Sequence, residues 1–183
     1  MVVASLHQGI VDLHPTRLEF YEAWLHPKGL RDGRIGLAPL AAVLSFLRQE
    51  GEPYGLIATR AGEYTADWTV SGLTSFRRAT IQRAPPGLRA YLALRVARAM
   101  VHATSKDSRA AVRWRKGRAT VDIGGSLFCD VRERAARPLC EYYASAIRRL
   151  LARFDLEADV ATDQCRATGG DHCVMSVSIR QRA

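Results

Sequence analysis

The chain has 183 residues, 48% of them hydrophobic and 25% charged, the make-up of one ordinary globular domain with a core large enough to need no disulfide staples. The formal net charge is +9, and all but three of the 27 basic residues (Lys28, Lys106 and Lys116) are arginine. No stretch approaches the roughly 18 apolar residues of a membrane span, so a spanning protein is excluded and only peripheral membrane contact stays open.

An arginine excess serves nucleic acid, an anionic membrane, an acidic protein or an anionic small molecule. Here Arg77-Arg78, Arg95, Arg98, Arg148-Arg149 and Arg180 are spread along the chain, with no helix-turn-helix pattern and no aromatic RNA-binding signature. They read as solvated faces, and no nucleic-acid partner is expected. The N-terminal residues lack a basic start and a continuous apolar run, so no secretory leader is expected and the protein is placed in the cytoplasm. There its four cysteines stay reduced, which favours metal binding or thiol chemistry over disulfides.

In chain order, Asp12 to Trp24 is expected as a helix and the glycine- and proline-broken residues 26–36 as a loop. Leu37 to Glu50 carries an apolar stripe of Leu40, Val43, Leu44 and Leu47 and is a helix closed by Gly51. Tyr54 to Arg60 reads as a short strand, and Thr74 to Arg83 as a helix ended by Pro85-Pro86. Leu88 to Ala103 is a helix burying Leu92, Val96, Ala99 and Met100. Alternating runs Ala111–Trp114 and Ala119–Ile123 form a hairpin through Lys116-Gly117. Pro138 to Phe154 has the clearest helical spacing, and Ala158–Ala161 and Val174–Ile179 are strands. Helices first, then hairpin, helix and two strands, make an α+β domain rather than a doubly wound parallel sheet.

Cys140 falls in the first turn of the Pro138–Phe154 helix, and Cys165 and Cys173 flank the Gly169-Gly170 turn. Thiolates suit zinc, a helix N-terminus favours a thiolate, and paired glycines let the chain reverse so that distant cysteines converge. The spacing alone fits buried free cysteines equally well. His102 ends a helix, where a capping cation is commonplace, or else points into a ligand cavity. Trp68, Trp114 and Phe128 are core or sheet-face aromatics that could also stack on a flat ligand.

The segment SLFC with Cys140 following, the helix YYASAIRRLLARF and the ending DQCRATGGDHCVMSVSI together resemble the 4-vinyl-reductase-type, hydrocarbon-binding domain. Within it, the bacteriochlorophyll 4-vinyl reductase-like proteins are the nearest group. The resemblance covers residues 124–179; residues 1–123 form an N-terminal helical part and hairpin, all within one domain, 1–183. It implies a mixed α/β fold shared with nitric-oxide-signalling and Golgi-transport ligand-binding domains, an antiparallel sheet packed on helices over a cavity, and a homodimer. It also implies that Cys140, Cys165 and Cys173 are metal ligands, with zinc as the metal. The family's acidic fourth ligand would fall at Thr162, so Asp163 is the expected substitute, with Cys129 and His172 as alternatives. His102, Trp114, Phe128 and Trp68 are the expected ligand-binding residues.

The sequence has no G-x-G-x-x-G fingerprint, no P-loop, no ferredoxin cysteine run and no defensible serine triad. A reductase needs a hydride or electron source, so binding or delivering a chlorophyllide-type tetrapyrrole is physically easier than reducing one. The alternative is a sensory or regulatory module for a small aromatic or lipid-like ligand.

Overall fold

The computed structural model describes residues 1–22, 37–115 and 118–180. The expected 26–36 loop, the end of the expected first helix and the Lys116-Gly117 turn lie outside them. Helix α1 spans Val2–Leu13, and a short 3-10 turn, Pro15–Arg17, leads into α2, Leu18–Glu22. The expected helix starting at Asp12 is therefore divided among the last two residues of α1, the 3-10 turn and α2. Val2, Leu6, Gly9 and Ile10 set one buried face of α1, and Pro15, which has no N–H to continue the ladder, separates α1 from α2.

Helix α3, Leu37–Gln49, buries Leu40, Val43, Leu44 and Leu47 as the stripe predicts. The expected strand at Tyr54–Arg60 is instead the first half of α4, Glu52–Ser71. The short apolar run concealed a helical period: Tyr54, Ile57, Ala58, Ala61 and Thr65 are all buried. Pro53 sits in the first turn, where its missing N–H costs nothing. Helix α5 is Ser75–Arg83, with the Thr74 hydroxyl accepting from the Arg77 N–H at 3.2 Å as an N-cap. Helix α6 is Pro86–His102. Its buried face is rotated from the expected one: Ala93, Leu94 and Ala97 join Val96 and Met100, while Ala99 is exposed.

Strands β1 (Arg109–Arg115) and β2 (Arg118–Gly124) form the expected hairpin. Helix α7 is Glu141–Ala152, and β3 (Ala158–Gln164) and β4 (Cys173–Ile179) follow. The sheet is antiparallel throughout, in the order β1-β2-β4-β3. Its inner face is set by register: Ala119 opposite Val177, Val121 opposite Met175, and Ile123 opposite Cys173, all buried. Helix α6 packs over β1 and α7 over β3, and α4 lies between α1 and α7. This is a mixed α/β domain with an antiparallel sheet covered by helices on one face. No helix among the described residues is long and apolar enough to cross a membrane.

Candidate metal centre and ligand cleft

Four elements deliver the cysteines. The chain leaves β2 through Gly125, at φ +64°, where a side chain would strike the Asp107 carbonyl. A 3-10 turn, Leu127–Cys129, is capped by the Ser126 hydroxyl on the Cys129 N–H at 3.2 Å. Cys140 is the N-cap of α7 rather than a residue within it. Cys165 follows β3, and Cys173 opens β4 after a reversal through Gly169 at φ +101°.

The four sulfurs lie within 4.8 Å of one another, and all four side chains are buried. Cys129 to Cys140 and Cys140 to Cys165 are 3.3 Å apart, and Cys165 to Cys129 is 3.6 Å. A tetrahedral zinc with sulfurs at about 2.3 Å requires sulfur–sulfur edges of about 3.8 Å, a little longer than these three separations and inside the 4.8 Å that spans the group. Backbone amides complete the shell: Leu139 N–H donates to Cys165 Sγ at 3.4 Å, and Arg166 N–H to Cys173 Sγ at 3.5 Å.

The thiols divide into proton donors and acceptors. Contacts with Cys140, Cys165 and Cys173, and then burial, push Cys129 far above the usual thiol range. For Cys140 the Cys129 contact acts downward, but Cys173 and burial outweigh it and the group is also raised. Cys165 is held down at about 6, first by the Cys129 contact and further by the Leu139 N–H. Cys173 is held at about 3 by its contacts with Cys129 and Cys140, with the Arg166 N–H adding to them. Two of the thiols are thus pushed up and two held down, and a soft divalent cation can take the place of thiol protons among sulfurs this close.

The structure brings Cys140, Cys165 and Cys173 together, and the expected fourth ligand, Asp163, does not join them. It occupies the irregularity in the β3–β4 register between Thr162 and Gln164, and its carboxylate accepts from Ser176 Oγ at 3.0 Å on the exposed side of the sheet. His172 is likewise outside the group and exposed. Cys129, named only as an alternative, is the fourth member of the group; Gly125, which turns the chain just before it, was the available signal.

The expected ligand residues scatter. Phe128 has no exposed surface and stacks on Tyr142 at 4.1 Å, with Tyr143 edge-on at 5.6 Å. Tyr142 Oη lies 2.8 Å from the Thr65 hydroxyl of α4, and the Phe128 carbonyl accepts from Arg48 of α3 at 2.9 Å, so Phe128 and Tyr142 pack toward the N-terminal helices rather than lining a ligand cavity. Trp68 stacks on Tyr64 on the outer side of α4. His102 Nε2 lies 3.3 Å from both the N and the O of Ala110, tying the end of α6 to β1. Trp114 alone lines a sizeable cleft, of about 590 Å³, together with Pro86, Ala90, Leu156 and Ile179; Arg89 and Arg180 also line it. Leu156 enters that wall after Asp155, which turns the chain at φ +56°, a conformation that aspartate tolerates.

No protein-family model matches the sequence, and no curated protein is significantly similar to it. Solved structures do match its fold. The H-NOX domain SO2144 of Shewanella oneidensis, in its Fe(II)CO ligation state, aligns over 99% of this chain and 98% of its own, with 14% identity and a TM-score of 0.56. A trafficking protein particle complex subunit 3 from Naegleria fowleri, covalently bound to palmitic acid, aligns over 99% and 98%, with 16% identity and a TM-score of 0.53. The phenol-responsive sensory domain of the transcription activator PoxR aligns over 79% and 74%, with 16% identity and a TM-score of 0.49. The first two define the class of fold: the mixed α/β domain of H-NOX proteins and trafficking-complex subunits.

Proposed function

We propose that this chain is a sensory or regulatory binding module for a small aromatic or lipid-like molecule, with a zinc ion on Cys129, Cys140, Cys165 and Cys173 joining the sheet to α7. The observation that carries the reading is the convergence of four buried sulfurs from four separate elements. Thiolates in a core are costly unless compensated, and a dication compensates them. With four protein sulfurs the shell is closed, so the metal holds structure and leaves no open position for chemistry.

The ligand belongs in the cleft beside Trp114, whose walls are mainly apolar. The Naegleria subunit carries its palmitic acid covalently; none of the four cysteines here lines the cleft, so capture would be non-covalent. A chlorophyllide-type tetrapyrrole, the finer reading that the 4-vinyl-reductase resemblance implies, would also use this cleft, with Arg89 meeting its carboxylate, since Arg180 is held by Asp159.

The test joins elemental analysis to ligand titration. Protein purified in reducing buffer should hold one zinc per chain, and Cys165→Ser should lose it. Palmitic acid or phenol should raise the melting temperature saturably, and Trp114→Ala should weaken that binding by about tenfold. Metal-free protein with all four thiols titrating freely defeats the metal centre. A flat response to palmitic acid, phenol and protochlorophyllide alike defeats the ligand reading.

A further inference from the structure

Twelve of the 27 lysines and arginines lie between Leu73 and Arg118, a span that holds one of the 18 acids, Asp107. The rest of the chain carries 15 bases against 17 acids. The whole positive excess therefore belongs to α5, α6 and β1 with the few residues just beyond it. The arginines that look scattered in sequence are concentrated in one part of the fold.

Those among the described residues are also not paired with a carboxylate where they sit. Among the described residues, no ion pair involves a cation of this span; Arg78, Arg89 and Arg109 donate only to backbone carbonyls. Elsewhere Arg60, Arg149 and Arg180 each meet a carboxylate at 3.0 Å or closer.

Apolar side chains stand among these cations. A groove of about 420 Å³ between α5 and α6 is lined by Phe76, Arg77, Leu92 and Arg95 among others. A second, of about 300 Å³, lies between α6 and β1 and is lined by Tyr91, Arg95, Arg98, Val112 and Trp114. Arg95 belongs to both, so they form one continuous face, and no carboxylate lines either groove. Asp107 faces a different cleft, with Gly125 and Arg166. Phe76 is 81% exposed, the highest value among the large hydrophobic side chains described, and Leu88 and Tyr91 are about half exposed on the same side of α6.

We propose that this α5–α6–β1 face docks on an anionic phospholipid bilayer. Guanidinium groups pair with lipid phosphates, while Phe76, Leu88, Tyr91 and Trp114 enter the headgroup–acyl boundary, where rings and aliphatic chains leave water. A nucleic acid would satisfy the arginines but leave Phe76 and Leu88 in solvent. Thr80 and Tyr91 carry the only side-chain hydroxyls in the two grooves, and no Asn or Gln lines either, a poor set for reading bases. The face lies at the far end of the sheet from the cysteines: Trp114 is opposite Ala119, whereas Cys173 is opposite Ile123. Its failure would leave the metal centre untouched.

The test is co-sedimentation of the full chain with vesicles of phosphatidylcholine, alone and with about one-third phosphatidylglycerol. Binding should require the anionic lipid and weaken as salt rises. Arg77→Glu/Arg95→Glu/Arg98→Glu should lose about a hundredfold in affinity or more. Phe76→Ser, which removes one exposed ring and no charge, should lose about tenfold and tests the inserted apolar part even if the triple variant folds poorly. The proposal is overturned if the wild type ignores anionic vesicles, binds neutral ones equally, or is stripped from them by an equimolar DNA oligonucleotide. Undiminished binding by Phe76→Ser overturns it as well.

Discussion

Gly62 lies where α4 crosses α7. A Cβ there would collide with Ser145 Oγ and with the Tyr142 carbonyl, so the helices approach as closely as they do because this position has no side chain. Beside it a hydroxyl chain links three helices: Tyr142 Oη and Thr65 Oγ1 are 2.8 Å apart, and Thr65 Oγ1 donates to Ser5 Oγ at 2.8 Å. Burial raises the Tyr142 phenol to about 12, so it remains a neutral partner. Gly62→Ala must push α4 off α7 and strain this chain. The expected loss is about 1–3 kcal/mol in urea unfolding, and a variant with unchanged stability would mean that the crossing has slack.

Between elements, α1 and α4 are joined at the surface through Asp12. Its carboxylate accepts from Tyr64 Oη at 2.6 Å, Gln8 Nε2 at 3.0 Å and Arg60 Nε at 3.0 Å. The Tyr64 hydrogen bond, then those from Gln8 and Arg60, hold Asp12 below the usual carboxylate range. A carboxylate depressed on folding stabilises the native state above its unfolded pKa, and the contribution is lost as pH falls through the folded value. Asp12→Asn should accordingly flatten the decline of stability below about pH 4 while lowering stability modestly at pH 7. Parallel acid unfolding curves for the two proteins would contradict this. The strand expected at Tyr54–Arg60 failed at the same scale. Tyr54, Leu56, Ile57 and Ala58 are too short a run to separate a buried strand from a buried helix face, and the decision was made by α4 packing against α1 and α7.

For the molecule as a whole, the cysteine cluster fastens α7 and the β3–β4 hairpin to the turn after β2, while α1 to α4 lie beyond it. Zinc bound only to the folded state adds stability that grows with free metal. Treatment with a strong chelator should therefore lower the melting temperature and raise amide exchange first around Ile123 and Cys173, with readdition of zinc restoring both. Uniform exchange across all helices, or no change, would mean that the sulfurs hold no structural ion. The α5–α6–β1 face is the other feature of this scale, because it exists only when three elements pool their arginines.

The amino-acid order alone determined the amphipathic helices α3, α6 and α7, the hairpin and the last strand, since each repeats its apolar residues at a period that one element can bury. The paired glycines allowed Cys165 and Cys173 to converge, but it was the resemblance to the 4-vinyl-reductase-type domain that implied Cys140, Cys165 and Cys173 as partners. Only the tertiary structure decided that Cys129, not Asp163, closes the set. A register irregularity turns Asp163 outward, and a 3-10 turn with a glycine ahead of it carries Cys129 inward. The stacking of Phe128 on Tyr142 was likewise decided in three dimensions, as was the cleft at Trp114. Those outcomes depend on which side chains from distant segments compete for one volume, and no local pattern of residues encodes that competition.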